Sequence, residues 1–161
     1  MIIIVMGVSG SGKSTLGGAL ARQLGWDFLE GDDYHPYRNI QKMRAQQPLD
    51  DDDRRPWLTR LHQLLASFEG QGRSAVLACS ALKQEYRDLL SHGLAGVRLV
   101  YLGGNVELIR ERLRGRESHF MPAGLLDSQL ATLEPPEGAV VVPVDLPTPE
   151  QVKLVREELA L

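Results

Sequence analysis

Residues 7–14 read Gly-Val-Ser-Gly-Ser-Gly-Lys-Ser, directly after the apolar run Ile2–Met6 and before a helical pattern. This is G-x-x-x-x-G-K-[ST], a spacing with a mechanical meaning. Its glycines let successive backbone N–H groups curl around phosphate oxygens, and the following helix N-terminus adds partial positive charge. Gly7, Val8, Ser9, Gly10, Ser11, Gly12, Lys13, Ser14 and Thr15 are therefore expected to hold a nucleoside triphosphate. In this motif Lys13 reaches the β- and γ-phosphates and the Ser14 hydroxyl ligates Mg²⁺.

The remainder of the chain alternates apolar runs with amphipathic segments, the pattern of an α/β fold with a mainly parallel sheet. Strands are expected at Ile2–Met6, Asp27–Glu30, Ser74–Cys79, Val97–Leu102 and Ala139–Val144. Helices are expected at Ser14–Leu24, capped by Gly25, then at Pro56–Phe68, Ala81–Leu90 and Val106–Arg114. A last helix opens at Thr148, with Thr148 as cap and Gln151 completing a capping box. Asp32–Arg55 and Gly115–Leu133 are polar insertions that fit no strand–helix repeat. Ligands of open α/β sheets sit beyond the carboxyl ends of the strands, so such insertions are candidate clamps and lids.

At 161 residues the chain has the length of one domain. A single cysteine, Cys79, excludes an internal disulfide framework, and a cytoplasmic location is expected. The first apolar run is far shorter than the roughly 20 residues of a membrane helix. It also lacks the basic leader of a signal peptide. A net charge of −3, with Lys and Arg spread along the chain, argues against nucleic-acid binding.

Many phosphate-loop proteins place a Mg²⁺-holding Asp at the end of a hydrophobic strand. Here the third strand ends in Cys79-Ser80, and carboxylates follow the second strand instead, in Glu30-Gly31-Asp32-Asp33. One of them orienting metal-bound water and another accepting the proton of a hydroxyl suits phosphoryl transfer to an alcohol better than hydrolysis. Arg38, Arg54 and Arg55 are candidate grips for an anionic acceptor, because guanidinium binds carboxylate with two hydrogen bonds. Lys83 and Arg87, one helical turn apart, are candidates to share a face toward it. Asp50–Asp53 reads mainly as helix capping, His62 as structural and Cys79 as a small buried residue. Arg110, Arg112, Arg114, Arg116 and His119 form a basic segment suited to a cationic lid.

Together these residues resemble the gluconokinase family. The resemblance is carried by Met6–Ser14, Gly31-Asp32 with His35-Pro36, and Asn39-Ile40 with Lys42-Met43. It continues through Pro48-Leu49, Asp51, Asp53-Arg54, Pro56-Trp57-Leu58, Cys79–Lys83 and Tyr86-Arg87-Asp88. Arg112-Leu113, Arg116, His119-Phe120, Leu125-Leu126, Ser128-Gln129 and Thr132-Leu133-Glu134 complete it. The resemblance implies a phosphate-loop NTPase fold like that of nucleoside monophosphate kinases and shikimate kinase. Such a fold has a five-stranded parallel sheet flanked by helices, a substrate-binding insertion at about 32–55 and a lid at about 115–122. It implies transfer of the ATP γ-phosphate to the 6-hydroxyl of D-gluconate, with ATP and Mg²⁺ as cofactors.

By the same resemblance Lys13, Asp32 and Arg116 are catalytic, and Asp32 binds and deprotonates the hydroxyl. Glu30 supports Mg²⁺ from outside its direct ligands, and Arg112 lies near the adenine. Asp32, His35, Arg38, Arg54, Lys83, Arg87 and His119 line the sugar-acid site. The family is often dimeric, which makes a homodimer one implied assembly. Gln46 stands where the family commonly has Gly, so a positive-φ turn is not expected there. Two other readings remain: a shikimate-kinase-like enzyme for another hydroxy acid, and a nucleotide-binding module without turnover. The first lacks its usual glycine-rich run after the third strand. The second predicts loss of Asp32, Arg112 or Arg116, and all three are present.

Overall fold

The structure, a computed structural model, describes residues 1–115 and 124–161. Five strands, β1 (Ile2–Met6), β2 (Asp27–Glu30), β3 (Ala75–Ala78), β4 (Val97–Gly103) and β5 (Val140–Pro143), form one sheet in the order β2-β3-β1-β4-β5. Every pairing is parallel, with Ile2 opposite both Ala75 and Val97. Seven helices are described: α1 (Lys13–Leu24), α2 (Tyr37–Arg44), α3 (Asp51–Gly70), α4 (Gln84–Ser91), α5 (Val106–Arg114), α6 (Gly124–Thr132) and α7 (Thr148–Leu159). None of them is long and apolar enough to cross a membrane.

The central strand explains the layering. All five residues of β1 are fully buried, and successive side chains point to opposite faces. Ile3 and Val5 join a core with Leu16, Leu20, Ile109, Val152 and Val155 from α1, α5 and α7. Ile2, Ile4 and Met6 join a second core with Trp57, Leu61, Leu65 and Leu90 from α3 and α4. Each fully buried aliphatic side chain contributes roughly 1.5–3 kcal/mol. Covered on both faces, the sheet offers its carboxyl edge as the place for a ligand.

Several boundaries differ from the sequence reading, each for a local reason. α3 begins at Asp51 rather than Pro56, because Asp50 caps it: its carboxylate accepts from the Asp53 N–H while Asp53 accepts from the Asp50 N–H. That box holds the turn ahead of Pro56 despite the proline's missing donor. α4 begins at Gln84 rather than Ala81, because Ala81 has a φ of 45° and Lys83 is extended. Thr148 is no cap: Pro147 takes that position, and the Gln151 amide donates to the Pro143 carbonyl instead. Gln46 adopts a φ of 58°, so the left-handed turn is kept without glycine, at a cost of about 1–2 kcal/mol. α6 lies inside what reads as a polar insertion, anchored by Leu126 in the core. Gly25 ends α1 in the left-handed conformation, as its sequence indicates.

One close approach sets the floor of the crevice. A Cβ on Gly31, at the exit of β2, would stand 2.5 Å from the Ala78 carbonyl oxygen. The glycine therefore lets the 3-10 turn Gly31–Tyr34 lie against β3. Gly31→Ala is expected to destabilise the fold by about 1–3 kcal/mol through overpacking. Gly18→Ala, in open space on α1, is expected to stabilise it by about 0.5–1 kcal/mol. Urea denaturation of the two variants checks both signs.

Candidate active site

The phosphate loop follows β1 and is braced on both sides. Its Gly7 N–H donates to the Ser80 carbonyl at 3.3 Å, joining the ends of β1 and β3. A Cβ on Gly7 would meet Ser11 Oγ at 2.7 Å and the Leu102 carbonyl at 2.8 Å, so the loop passes where only glycine fits. Lys13 Nζ donates across the loop to the Val8 carbonyl at 3.1 Å. Arg112 donates to the Val144 carbonyl at 2.9 Å and to Ser11 O at 3.5 Å, linking the loop to the exit of β5. Ser14 Oγ donates to the Glu30 carboxylate. Half-burial raises the Glu30 pKa, opposed by that hydrogen bond. A hydroxyl and a carboxylate side by side are the hard oxygen donors Mg²⁺ prefers, so these residues fit that ion.

Ser9 and Lys13 of the loop face a crevice whose opposite wall holds Asp32, His35, Arg54 and Trp57, with Leu125, Ser128 and Gln129 from α6 closing one side. Asp32 rides on the 3-10 turn with its side chain 78% exposed, accessible to an incoming hydroxyl. Beneath it the turn is pinned by Trp57, whose Nε1 donates to the Gly31 carbonyl at 2.8 Å. The Trp57 ring stacks on His35 with centroids 4.1 Å apart.

His35 is held in one protonation state. Asn39 Nδ2 donates to the Asp53 carbonyl at 2.8 Å, which fixes the amide orientation, and lies 3.1 Å from His35 Nδ1. That nitrogen must therefore accept, so the proton sits on Nε2, 3.8 Å from Asp32 Oδ1. Burial pushes the His35 pKa from 6.5 down to about 4, helped by Arg54 and opposed by Asp32. Asp53 in turn accepts from Lys42 at 2.7 Å and from the Asp50 N–H, which hold its carboxyl down at about 2.

Arg54 is fixed by a second network. Its Nη1 donates to Tyr86 Oη at 3.1 Å, and the tyrosine donates to Asp51, which also accepts from Lys83 at 2.9 Å. These hydrogen bonds lower the Asp51 pKa and raise that of Lys83. Lys83, expected in the sugar-acid site, pairs with Asp51 and so supports Arg54 through Tyr86. Arg87, expected in the same site, is 3% exposed and donates to the carbonyls of Ala81, Leu82 and Glu134. Arg38 points largely to solvent, 3.8 Å from Asp53, and Arg55 pairs with Asp52 on the surface. Arg116 and His119, with most of the expected lid, lie outside the described residues.

Cys79 is buried and its thiol is pushed up to about 12, which suits an inert packing residue. His62 donates from Nδ1 to the Leu90 carbonyl at 3.0 Å, a structural role. Asn39, Asp51, Tyr86 and Gln129 acquire site roles that individual residue chemistry did not single out. The Ser9 N–H donates to Gln129 Oε1 at 2.7 Å across a sequence separation of 120, which no local pattern encodes.

The state of His35 carries a pH consequence. Its folded pKa lies below its ordinary value, so the unfolded chain binds more protons between pH 4 and 6.5, and stability rises with pH across that window. Moving from pH 7 to pH 5 is expected to remove about 2 kcal/mol of unfolding free energy through this group. His35→Gln should flatten that part of the profile in urea titrations.

A protein-family model described as an AAA domain matches residues 2–136. A probable gluconokinase of Rattus norvegicus is 46% identical, the match covering 98% of this chain and 97% of the relative. The thermoresistant gluconokinase of Escherichia coli K12 is 42% identical over 91% of this chain and 86% of its own. Among solved structures, a gluconokinase from Sinorhizobium meliloti 1021 superposes with a TM-score of 0.88 at 46% identity, covering 98% of this chain and 90% of that one. On this evidence of sequence, fold and crevice together, the chain belongs to the gluconokinase family.

Proposed function

We propose that the chain transfers the γ-phosphate of ATP to the 6-hydroxyl of D-gluconate, giving 6-phospho-D-gluconate and ADP. The observation that carries the reading is the crevice itself. A phosphate loop with Lys13 faces an accessible carboxylate, Asp32, and an anchored guanidinium, Arg54, across one shared space. The names of the relatives supply the sugar acid.

In this reading the Arg54 guanidinium takes the gluconate carboxylate. One of its five N–H donors is committed to Tyr86 and the rest of the fork serves the ligand. The far hydroxyl then reaches Asp32, which accepts its proton as the oxygen attacks the γ-phosphorus. The bond to the bridging oxygen breaks and ADP leaves. His35, neutral and with its proton on Nε2, donates toward Asp32 or the acceptor and adds no charge. Lys13 neutralises the charge growing on the phosphoryl oxygens, and the loop amides hold the phosphates in line.

Ser14 and Glu30 are the residues that would hold Mg²⁺, Ser14 directly and Glu30 through water. Held there, the ion would supply positive charge to offset the negative charge developing on the phosphates. Arg112, tied to the loop and to Val144, suits the adenine side. Arg116 and His119 keep the phosphate and acceptor roles that the resemblance implies. The proposal takes the 161 residues as one kinase domain, with an acceptor clamp at about 32–55 and a lid at about 115–122. It extends to a cytoplasmic enzyme that works as a homodimer.

ADP release with Mg-ATP, alone and with gluconate, other aldonates, shikimate and simple sugars, tests the reading. Strong stimulation by gluconate is expected. Stimulation only by another acceptor discards the substrate, and none at all discards the activity. Lys13→Ala is expected to abolish transfer. Asp32→Asn should cut turnover by about 10²-fold or more while leaving ATP binding nearly unchanged. Equal loss of both would remove Asp32 from its role.

A further inference from the structure

The bond between Ser9 and Gln129 has a second consequence. A backbone N–H can only donate, so the side-chain atom it meets at 2.7 Å is the Gln129 carbonyl oxygen. The amide nitrogen therefore points away from the loop backbone. It has no hydrogen-bond partner among the described residues, and Gln129 lines the same crevice as Lys13, Asp32 and Ser80. A two-donor group on the wall of the crevice shared by the phosphate loop and Asp32 thus has no donor committed within the described residues.

The helix that carries it is firmly placed. Arg110 donates to Asp127 at 2.6 Å on one side of α6, and Leu126 is buried beneath it. Past its end, Glu134 N donates to the Leu82 carbonyl at 2.8 Å, and the buried Arg87 donates to the Glu134 carbonyl at 2.8 Å. Arg87 therefore acts on the site from behind, by fixing the segment that follows α6. Oε1 is thus held by the loop, and the segment that follows α6 is held by Leu82 and Arg87.

Phosphoryl transfer passes through a loose transition state with charge spread over three equatorial oxygens, and preorganised donors aimed at that charge lower the barrier. Lys13 serves one side of such a group. We propose that Gln129 is a further catalytic residue, donating from Nε2 to an equatorial oxygen of the phosphoryl group in transfer while Ser9 holds its carbonyl. Gln129 gains and loses no proton in the step. The bond made is from acceptor oxygen to phosphorus, the bond broken is from phosphorus to the bridging oxygen, and the proton goes to Asp32. The inference rests on phosphoryl transfer occurring in this crevice.

The test compares wild type, Gln129→Ala and Gln129→Glu in kcat, in KM for ATP and gluconate, and in calorimetric affinities for Mg-ADP and for Mg-ADP with aluminium fluoride and gluconate, a mimic of the planar phosphoryl group. Glutamate keeps the acceptor for Ser9 but supplies no donor. Both variants are expected to lose about 10²-fold in kcat. Their Mg-ADP affinity and both KM values should stay within about threefold of wild type, and affinity for the planar mimic should fall by the same factor as kcat. Full activity of Gln129→Glu, or a loss of Mg-ADP affinity as large as the loss in kcat, overturns the proposal and leaves Gln129 a tether of the loop. Should Gln129→Ala fail to fold, Gln129→Met keeps side-chain volume and helix propensity and takes its place. If wild type transfers phosphate to no acceptor, the reading of the function fails, a result separate from either outcome.

Discussion

The carboxylate of Asp53 is the tie on which the acceptor side of the crevice depends. It accepts from the Asp50 N–H, closing the capping box that starts α3 five residues ahead of Pro56, and from Lys42 on α2. The carbonyl of the same residue accepts from Asn39, whose amide then dictates the tautomer of His35. One buried residue thus joins two helices and fixes the hydrogen-bonding character of a side chain in the site. A buried carboxylate is stable only when it is paired and hydrogen-bonded, and here every partner is itself part of the clamp.

The first two turns of α3 distribute their side chains by helical geometry. Asp51 faces α4 and collects Tyr86 and Lys83, while Arg54, one turn on, reaches the crevice and rests on the same tyrosine. Trp57, a turn further, supports the turn that carries Asp32 and stacks on His35. Arg54 and the turn that carries Asp32 are therefore both set by one helix, and the phosphate loop faces them from β1. Such rigidity suits a reaction in which positioning and electrostatic stabilisation carry nearly all of the catalysis.

Much of this was legible in the sequence where the signal is local. The phosphate loop, the five short apolar strands and the Gly25 cap depend on spacing and on single-residue conformational preference, and each lies close to where spacing puts it. Spacing misplaces the start of α3 because Pro56 is a strong start signal, while the Asp50–Asp53 capping box outweighs it. The partners of Lys83 and Arg87 were not legible either, because they come from Asp51 and Glu134, 32 and 47 residues away. The left-handed turn at Gln46 is held by local hydrogen bonds at the end of α2, from the Gln46 N–H to the Met43 carbonyl and from the Gln47 N–H to the Lys42 carbonyl. The contact of Ser9 with Gln129 is wholly non-local and emerges only once α6 is placed.

In the proposed enzyme Arg54 holds one end of the acceptor through its carboxylate while the other end meets Asp32. A double-mutant cycle measures it most directly, using kcat/KM for gluconate and for its uncharged amide in the native protein and in Arg54→Ala. The native protein is expected to prefer the carboxylate by at least about tenfold, the worth of a charge-assisted hydrogen bond, and Arg54→Ala to lose the preference. An equal preference in both proteins would contradict it and place the carboxylate elsewhere.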